Sequence, residues 1–464
     1  MKTISIILIF FFGLITKNVQ GQCWVAIAAG EYHTIAIKFD GTLWAWGYNS
    51  DGQLGDGTFI NKNVPTQIGS ATNWQSIAAG DRFNLAIKTN GTLWSWGRNS
   101  EGELGNGTQV GSNVPTQVGT ASNWSFIDAG NYCSMAIKNN GTLWAFGNNS
   151  YGNLGDGSTT SRLSPVQVGI SNLWESVSVG LFHTVAKRSN GTLWSWGLNA
   201  NGQLGNGTVI NSNTAAQVDA STNWGRISAG ARYTMVLKTD GTLWGFGYNA
   251  SGSLGDGTTI DKNIPTQIGT DFWQKVSCGF AHTIGIKQAG SLWTWGSNTR
   301  GQLGSGNTDT IEPNSINTNS NWSLLIAAGK YHTIATRTNG MASIWGENIY
   351  GQLGSGNNVT QPFPNQINCP TVLATVQNTA DDFIVNHYPN PGKDLIHVDY
   401  FLMENSPVVL QLIDLRGQVL FESNTQKNAG AQSEKINISP YQNGIYILKI
   451  NASNLSKIVK IIKE

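Results

Sequence analysis

The chain has 464 residues, 39% of them apolar and 12% charged, with a formal net charge of +1. That length is ample for a large core or for more than one domain, and the near-zero charge leaves no basic footprint for DNA, RNA or an acidic membrane surface. No nucleic-acid partner is expected, and the composition agrees with an extracellular body.

Residues 1–21 read as a signal peptide. Lys2 precedes an apolar stretch from Ile4 to Ile15, and Val19 and Gly21 stand where signal peptidase would cut. The mature chain is expected to begin at Gln22. The apolar stretch is short for a bilayer span, and Gln22 stands before Cys23 where a lipoprotein site needs a small residue. No transmembrane segment is therefore expected in the mature chain.

From Trp24 to Ile367 a unit of about fifty residues recurs seven times, its turn glycine falling at Gly41, Gly91, Gly141, Gly191, Gly241, Gly290 and Gly340. Each unit holds about four short apolar runs separated by glycine-rich turns, enough for one four-stranded antiparallel sheet. Seven such units predict a seven-bladed β-propeller over residues 22–369 and place the chain in the all-β class. Asp40-Gly41 and its equivalents carry the type I′ hairpin signal. Ile35 and Ile37 share one strand face while Thr34 and Ala36 share the other, so both faces are expected to be buried between stacked blades.

A residue present in every blade is expected to do the same structural job seven times. The 18 tryptophans fall at three recurring positions, first met at Trp24, Trp44 and Trp46, and read as packing between sheets. His33, His183, His282 and His332 share one repeat position and read as packed, hydrogen-bonded histidines. Asn49 and its equivalents suit side-chain capping of a turn. The acidic position that starts at Asp56 becomes Asn106, Asn206, Ser305 and Ser355 in other copies, which fits turn hydrogen bonding better than a calcium cage. No metal and no cofactor are expected.

The segment GTLWAWGYNSDGQLGDGT, with AAGEYHTIAIK before it and NVPTQIG after it, resembles the regulator of chromosome condensation repeat. The resemblance covers most of the chain and implies a seven-bladed propeller used chiefly as a platform for macromolecules. That family includes a nuclear exchange factor for a small GTPase, a plant ultraviolet-B photoreceptor and a secreted bacterial inhibitor of β-lactamases. The photoreceptor relatives carry a Trp-Arg pair before His-Thr, whereas Glu31-Tyr32 and Lys330-Tyr331 stand here, so light sensing by an exposed indole cluster is not implied.

Binding requires that the symmetry be broken, and the loop between the repeat Gly and His breaks it. Its residues are Glu31 and Tyr32, Asp81 and Arg82, Asn131 and Tyr132, Leu181 and Phe182, Ala231 and Arg232, Phe280 and Ala281, and Lys330 and Tyr331. Aromatics mixed with single charges suit an interface, and these positions are expected to ring one end of the propeller as a binding face for a protein or glycan. A second variable loop, with Tyr48, Arg98, Tyr151, Leu198, Tyr248, Arg300, Glu347 and Tyr350, is expected around another rim. The rival reading is a secreted carbohydrate-active or other hydrolytic enzyme, with Glu31 and Asp81 on adjacent blades as a carboxylate pair. No nucleophile elbow, phosphate loop or metal motif supports it, and no catalytic residue is assigned.

Cys23 lies just before the first repeat strand and Cys369 just after the last, so a disulfide between them could clasp the ring, stabilising it by on the order of 4 kcal/mol or more. Cys133 and Cys278 replace repeat residues in the third and sixth blades and are expected to be buried, separate and reduced. Whether strands from the two chain ends share one blade is left open.

Residues 370–383 read as a linker, and 384–464 as a small immunoglobulin-like β-sandwich of strand-like runs such as LIHVDYFL, PVVLQLID and GIYILKI. The segment YPNP, the hairpin around Asp414 to Gln418, the run NGIYILKI and the terminal KIVKIIKE resemble the type A sorting domain of bacterial type IX secretion. That resemblance implies the secretion machinery as a partner, with the chain released or attached to the outer-membrane surface.

Overall fold

The computed structural model describes residues 23–316, 321–367, 369, 385–388, 392–402, 405–414, 417–452 and 455–464. The expected signal peptide, Gln22 and the linker lie outside them, as do residues 389–391 of YPNP and residues 415–416. The chain divides into two units, Met1–Pro370 and Thr371–Glu464. The described residues are strands, turns and loops without a helix.

Blade one sets the pattern: β1 (Trp24–Ala29), β2 (His33–Lys38), β3 (Leu43–Gly47) and β4 (Lys62–Gln67) form one antiparallel sheet in chain order. Thr34 faces Ala29 on one side and Trp46 on the other. The other six blades repeat this order, and a single long strand, Lys262–Cys278, ends the fifth blade and begins the sixth. Every blade consists of strands that are consecutive in the chain, so no blade mixes the two ends. The ring closes instead through side-chain contacts, backbone hydrogen bonds such as Gly356 N–H to Asn63 O at 2.8 Å, and a Cys23–Cys369 disulfide with Cα atoms 5.7 Å apart. Cys133 and Cys278 are buried free thiols.

Packing between blades explains the recurring indoles. Trp74 and Trp94 meet edge to face at 5.8 Å, as do Trp174 and Trp194 at 6.2 Å, from the first and third strands of their blades. The third indole reaches the preceding blade: Trp96 Nε1 donates to Gln53 O at 3.0 Å, and Trp345 Nε1 to Gln302 O at 2.9 Å. Gly55, at φ +75°, lies so close that a Cβ there would stand 2.8 Å from Trp96 Nε1, so only glycine fits. The outermost strands carry Pro65, Pro115, Pro165, Pro265, Pro313 and Pro364, which deny the exposed sheet edges a ladder donor.

The expected type I′ hairpin is replaced by a longer turn. Gly41 N–H donates to Lys38 O at 2.9 Å and Lys38 N–H to Thr42 O at 3.0 Å, so Phe39, Asp40 and Gly41 form a three-residue loop with Gly41 at φ +78°. Asp40 favours it by accepting from Thr42 N at 3.0 Å and from Thr42 Oγ1 at 2.5 Å.

In the second unit, Val385–Tyr388, Leu395–Leu402 and Gly430–Asn437 make a three-stranded sheet. Val419–Lys427, Ser406–Ile413, Gly444–Ala452 and Leu455–Lys463 make a four-stranded one. Ile396, Val398, Leu410, Leu412, Leu448 and Ile450 fill the core of this immunoglobulin-like sandwich.

Candidate functional site

Antiparallel order within a blade brings the β1–β2 and β3–β4 connections out at the same end, opposite the Phe39–Gly41 turns. The two variable loops therefore share one face rather than ringing separate rims. Tyr48 N–H donates to Tyr32 O at 2.9 Å, Arg98 N–H to Arg82 O at 2.9 Å, and Glu347 N–H to Tyr331 O at 2.8 Å.

A rigid frame holds these loops. Asn49 Nδ2 donates to Thr58 O and Ile60 O, each at 3.1 Å, while its Oδ1 accepts Leu54 N–H at 2.9 Å. Asp56 Oδ1 accepts from Thr58 N at 2.9 Å and from Thr58 Oγ1 at 2.7 Å, the turn role expected of it. The inner loops are stitched to each other by Glu31 N–H donating to Asp81 O at 3.1 Å and Lys330 N–H to Gly30 O at 3.3 Å. Below them the repeat histidines bridge blades: His33 Nε2 lies 2.8 Å from Asn84 Oδ1, and His183 Nε2 lies 3.0 Å from Thr234 Oγ1.

Glu31 is the electrostatic centre of the face. Its buried carboxylate takes the Lys330 ammonium from the seventh blade and Arg82 Nε from the second at 3.2 Å. Burial opposes its ionisation, but hydrogen bonds from Asp81, Lys330 and Arg82 outweigh that and hold it below the usual carboxylate range. Asp81 is pushed up to about 8, first by burial, then by its hydrogen bond to Glu31 and by that carboxylate's charge. At neutral pH the pair holds one proton, with Asp81 donating to Glu31. Arg82 Nη1 also reaches Asp51 at 3.5 Å, and Arg98 Nε reaches the fully buried Glu103 at 3.5 Å.

Aromatic rings gather around these charges in two groups. Over the seventh, first and second blades, Tyr32 packs 5.2 Å from Tyr350, 6.2 Å from Tyr331 and 6.3 Å from Tyr48. Lys330 Nζ lies 5.3 Å from the rings of both Tyr32 and Phe280, and Arg82 lies 5.5 Å from that of Tyr48. Over the third and fourth blades, Tyr132 stacks on Phe182 at 5.8 Å, Tyr151 lies 4.9 Å from Phe182, and Arg98 lies 4.7 Å from Tyr132. Asn131 and Leu181 are half-buried at this end, and Arg232 is exposed on the fifth blade, outside both groups.

Sequence reasoning missed Asp51 and Glu103. Glu103 was visible as a departure, because it stands where Gln53, Gln203, Gln302 and Gln352 stand in other copies. Glycoside cleavage needs carboxyls roughly 5–9.5 Å apart, whereas Glu31 and Asp81 shift one another's ionisation by hydrogen bonding and share Arg82, whose Nε lies 3.2 Å from Glu31 and 4.0 Å from Asp81.

Comparison with known proteins fits this architecture. Residues 40–87, 90–137, 140–186, 190–237, 240–286 and 289–336 match the regulator of chromosome condensation (RCC1) repeat. The chain belongs to the RCC1 repeat family. A second profile of the same repeat matches seven segments, from 24–53 to 325–352. The longer match begins at the turn before β3, so that repeat is displaced by two strands from the structural blade. Residues 386–464 match the secretion system C-terminal sorting domain. The protein is thus an RCC1-type propeller with a type IX secretion sorting tail, a combination that implies secretion or attachment at the cell surface.

Curated relatives align only over short stretches. The mitochondrial RCC1 domain-containing protein RUG3 of Arabidopsis thaliana is 37% identical over 51 residues, 11% of this chain and 12% of that one. The human E3 ubiquitin-protein ligase HERC2 is 45% identical over 42 residues, 9% of this chain and 1% of that one. The chain thus spans a small part of these relatives. Among solved structures, human WBSCR16 superposes with a TM-score of 0.65 at 21% identity, covering 70% of this chain and 94% of that one. Prp20p of Saccharomyces cerevisiae gives 0.61 at 24% identity, covering 67% and 81%. These likenesses establish the fold.

Proposed function

We propose that the loop-bearing end of the propeller is a non-enzymatic recognition surface for an extracellular protein or glycan. In this reading the mature chain starts at Gln22, residues 22–369 bind, and residues 384–464 are the export address. The observation that carries it is the uneven distribution of side chains on a seven-fold scaffold. The aromatic rings of Tyr32, Tyr48, Tyr331 and Tyr350 surround the Glu31, Arg82 and Lys330 charge cluster over one sector, and Tyr132 and Phe182 form a second anchor. Aromatic and arginine anchors held in place before binding lose little conformational entropy when a partner docks.

The sorting tail supports an outward-facing role, since an exported chain does not meet a nuclear GTPase. The yeast propeller Prp20p is described as binding Gsp1p and histones, which shows a propeller of this fold serving as a platform for macromolecules. Asp81, Asn131, Leu181, Arg232 and Phe280 complete the face we assign to the ligand.

The test uses the purified mature chain as bait against envelope, culture-medium and host-derived extracts, beside a Tyr32→Ala, Tyr132→Ala, Tyr331→Ala variant. The reading expects a partner, protein or glycan, held by the parent and released by the variant. Equal capture by both would move the binding surface elsewhere, and capture of nothing from all three sources would count against a binding role.

A further inference from the structure

Six of the seven blades place an indole at the second position of the third strand, at Trp44, Trp94, Trp144, Trp194, Trp244 and Trp293. The seventh blade places Ser343 there. The residue two places earlier changes with it. Thr42 Oγ1 accepts the Trp44 Nε1 proton at 2.8 Å, and Thr92, Thr142, Thr192, Thr242 and Ser291 do the same for their own indoles, whereas Met341 stands at that position in the seventh blade. The rest of the setting is kept. Trp322 faces Arg337 as Trp24 faces Lys38, and Ser343 lies between Ala335 and Gln366 as Trp44 lies between Ala36 and Gln67.

A cavity of about 270 Å³ lies where the other blades hold this ring, and among the described residues its wall includes Trp322, Arg337, Ser343, Phe363, Pro364 and Gln366. An apolar cavity of about 150 Å³ takes a benzene ring, so this one has room for a bicyclic ring. Its cation is already in position. In the fourth blade Arg188 lies 4.6 Å from Trp174 and 3.7 Å from Trp194. Arg337 lies 4.0 Å from Trp322, with Nη1 donating to Asn321 Oδ1 at 2.6 Å, and Ser343 gives it no second ring. The rim differs as well. The position that reads Val64, Val114, Ser164, Thr214, Ile264 and Glu312 elsewhere is Phe363 here, 60% exposed.

We propose that this slot in the seventh blade binds an indole ring from outside the chain. Trp322 offers it an edge-to-face partner, Arg337 a guanidinium to lie over its face, and Phe363 an aromatic lip. Ser343 and Gln366 bring a hydroxyl and an amide to the wall as acceptors for the indole N–H. An aliphatic group would fill the same volume but forgo the cation–π contact. The ring arrives either as a free small aromatic or as the tryptophan side chain of a polypeptide. The slot lies beside the turn in which Arg337 N–H donates to Met341 O, at the end of the blade opposite the loop face, so the two binding readings stand or fall independently.

Ligand-observed saturation-transfer NMR on the full chain tests it, with indole, N-acetyl-tryptophanamide and N-acetyl-leucinamide as probes. The expected result is saturable binding of indole with a Kd near about 1 mM or tighter. Ser343→Trp restores the repeat's own ring and should weaken that binding roughly tenfold or more while raising the denaturant midpoint. Arg337→Met should weaken it roughly two- to fivefold, and Arg337→Lys, the cation of most other blades, should largely keep it. Equal binding of N-acetyl-tryptophanamide would assign the slot to a polypeptide side chain, and binding of indole alone to a free aromatic. Circular dichroism checks that each variant is folded, and Ser343→Leu obstructs the same space should Ser343→Trp not fold. No saturable binding of indole up to about 10 mM, unchanged affinity in the slot-filling variant, or N-acetyl-leucinamide binding as tightly as indole would overturn the assignment.

Discussion

His332 Nε2 lies 3.0 Å from Thr34 Oγ1, across the seam where the seventh blade meets the first. His282 makes the same contact with Thr333 at 2.9 Å, so the seam is built like an internal blade interface. These imidazoles are fully buried, and burial pushes His33 down to about 4 and His183, His282 and His332 to about 3. A histidine free to titrate near 6.5 when unfolded takes up a proton that the folded state refuses. The stability from each neutral histidine is therefore complete above about pH 6.5 and declines as pH falls towards the folded value.

The unfolding free energy read from urea denaturation is accordingly expected to drop between pH 7 and pH 5, by about 2 kcal/mol for each of these histidines. Replacing His183 by Asn should lower stability at pH 7 but flatten the decline by about that amount. An equally steep decline in the variant would remove His183 from the acid response.

Clasping the chain ends constrains a loop closed over a sequence separation of 346 residues. The chain-entropy treatment puts the limit near 6 kcal/mol, reduced by any structure left in the unfolded chain. Cys23→Ser is expected to lower the denaturant midpoint clearly and to free the seventh blade first, read as early hydrogen exchange in residues 322–346. A midpoint equal to the parent's would mean that the non-covalent contacts across the seam close the ring unaided.

Lys88 Nζ lies 3.9 Å from the Trp94 ring and 4.5 Å from that of Trp74, above an edge-to-face indole pair. Lys138, Arg188, Lys238 and Lys287 repeat the arrangement. Lys88→Met should cost about 1 kcal/mol in urea denaturation, while Lys88→Arg should cost much less. Similar losses in both would assign the effect to the aliphatic stem instead.

Asp81 keeps its proton up to about pH 8 when folded but loses it near 4 when unfolded. The folded state then binds more protons than the unfolded one, so Asp81 lowers stability increasingly as pH rises from about 4 to 8. Asp81→Asn is expected to stabilise the protein more at pH 8 than at pH 5. Glu31→Gln should destabilise at both, because Lys330 and Arg82 lose their shared counter-ion. A gain from Asp81→Asn that did not grow with pH would contradict the shared-proton description.

The blade number, the burial of both strand faces and the Cys23–Cys369 pairing were legible in the sequence because each follows from a repeat of one short pattern. The turn at Asp40 was misread because Asp-Gly is compatible with two hairpin lengths, and the hydrogen bonds from Thr42 to Asp40 choose the longer. The role of Lys88 and its equivalents was invisible, since a terminal strand lysine carries no signal until the indoles beneath it are placed. At the candidate site the chemistry of the Gly–His loop was not readable. Glu31 meets a lysine 299 residues away, and only ring closure brings them together.

The most direct measurement is hydrogen exchange of the mature chain with and without its captured partner. The expected result is protection concentrated in residues 30–32, 48–52, 131–132 and 330–332, with the Phe39–Gly41 turns unchanged. Protection at those turns or on the sorting sandwich, with the loop face unaffected, would contradict the proposal that the aromatic and charged end of the propeller is the surface that binds.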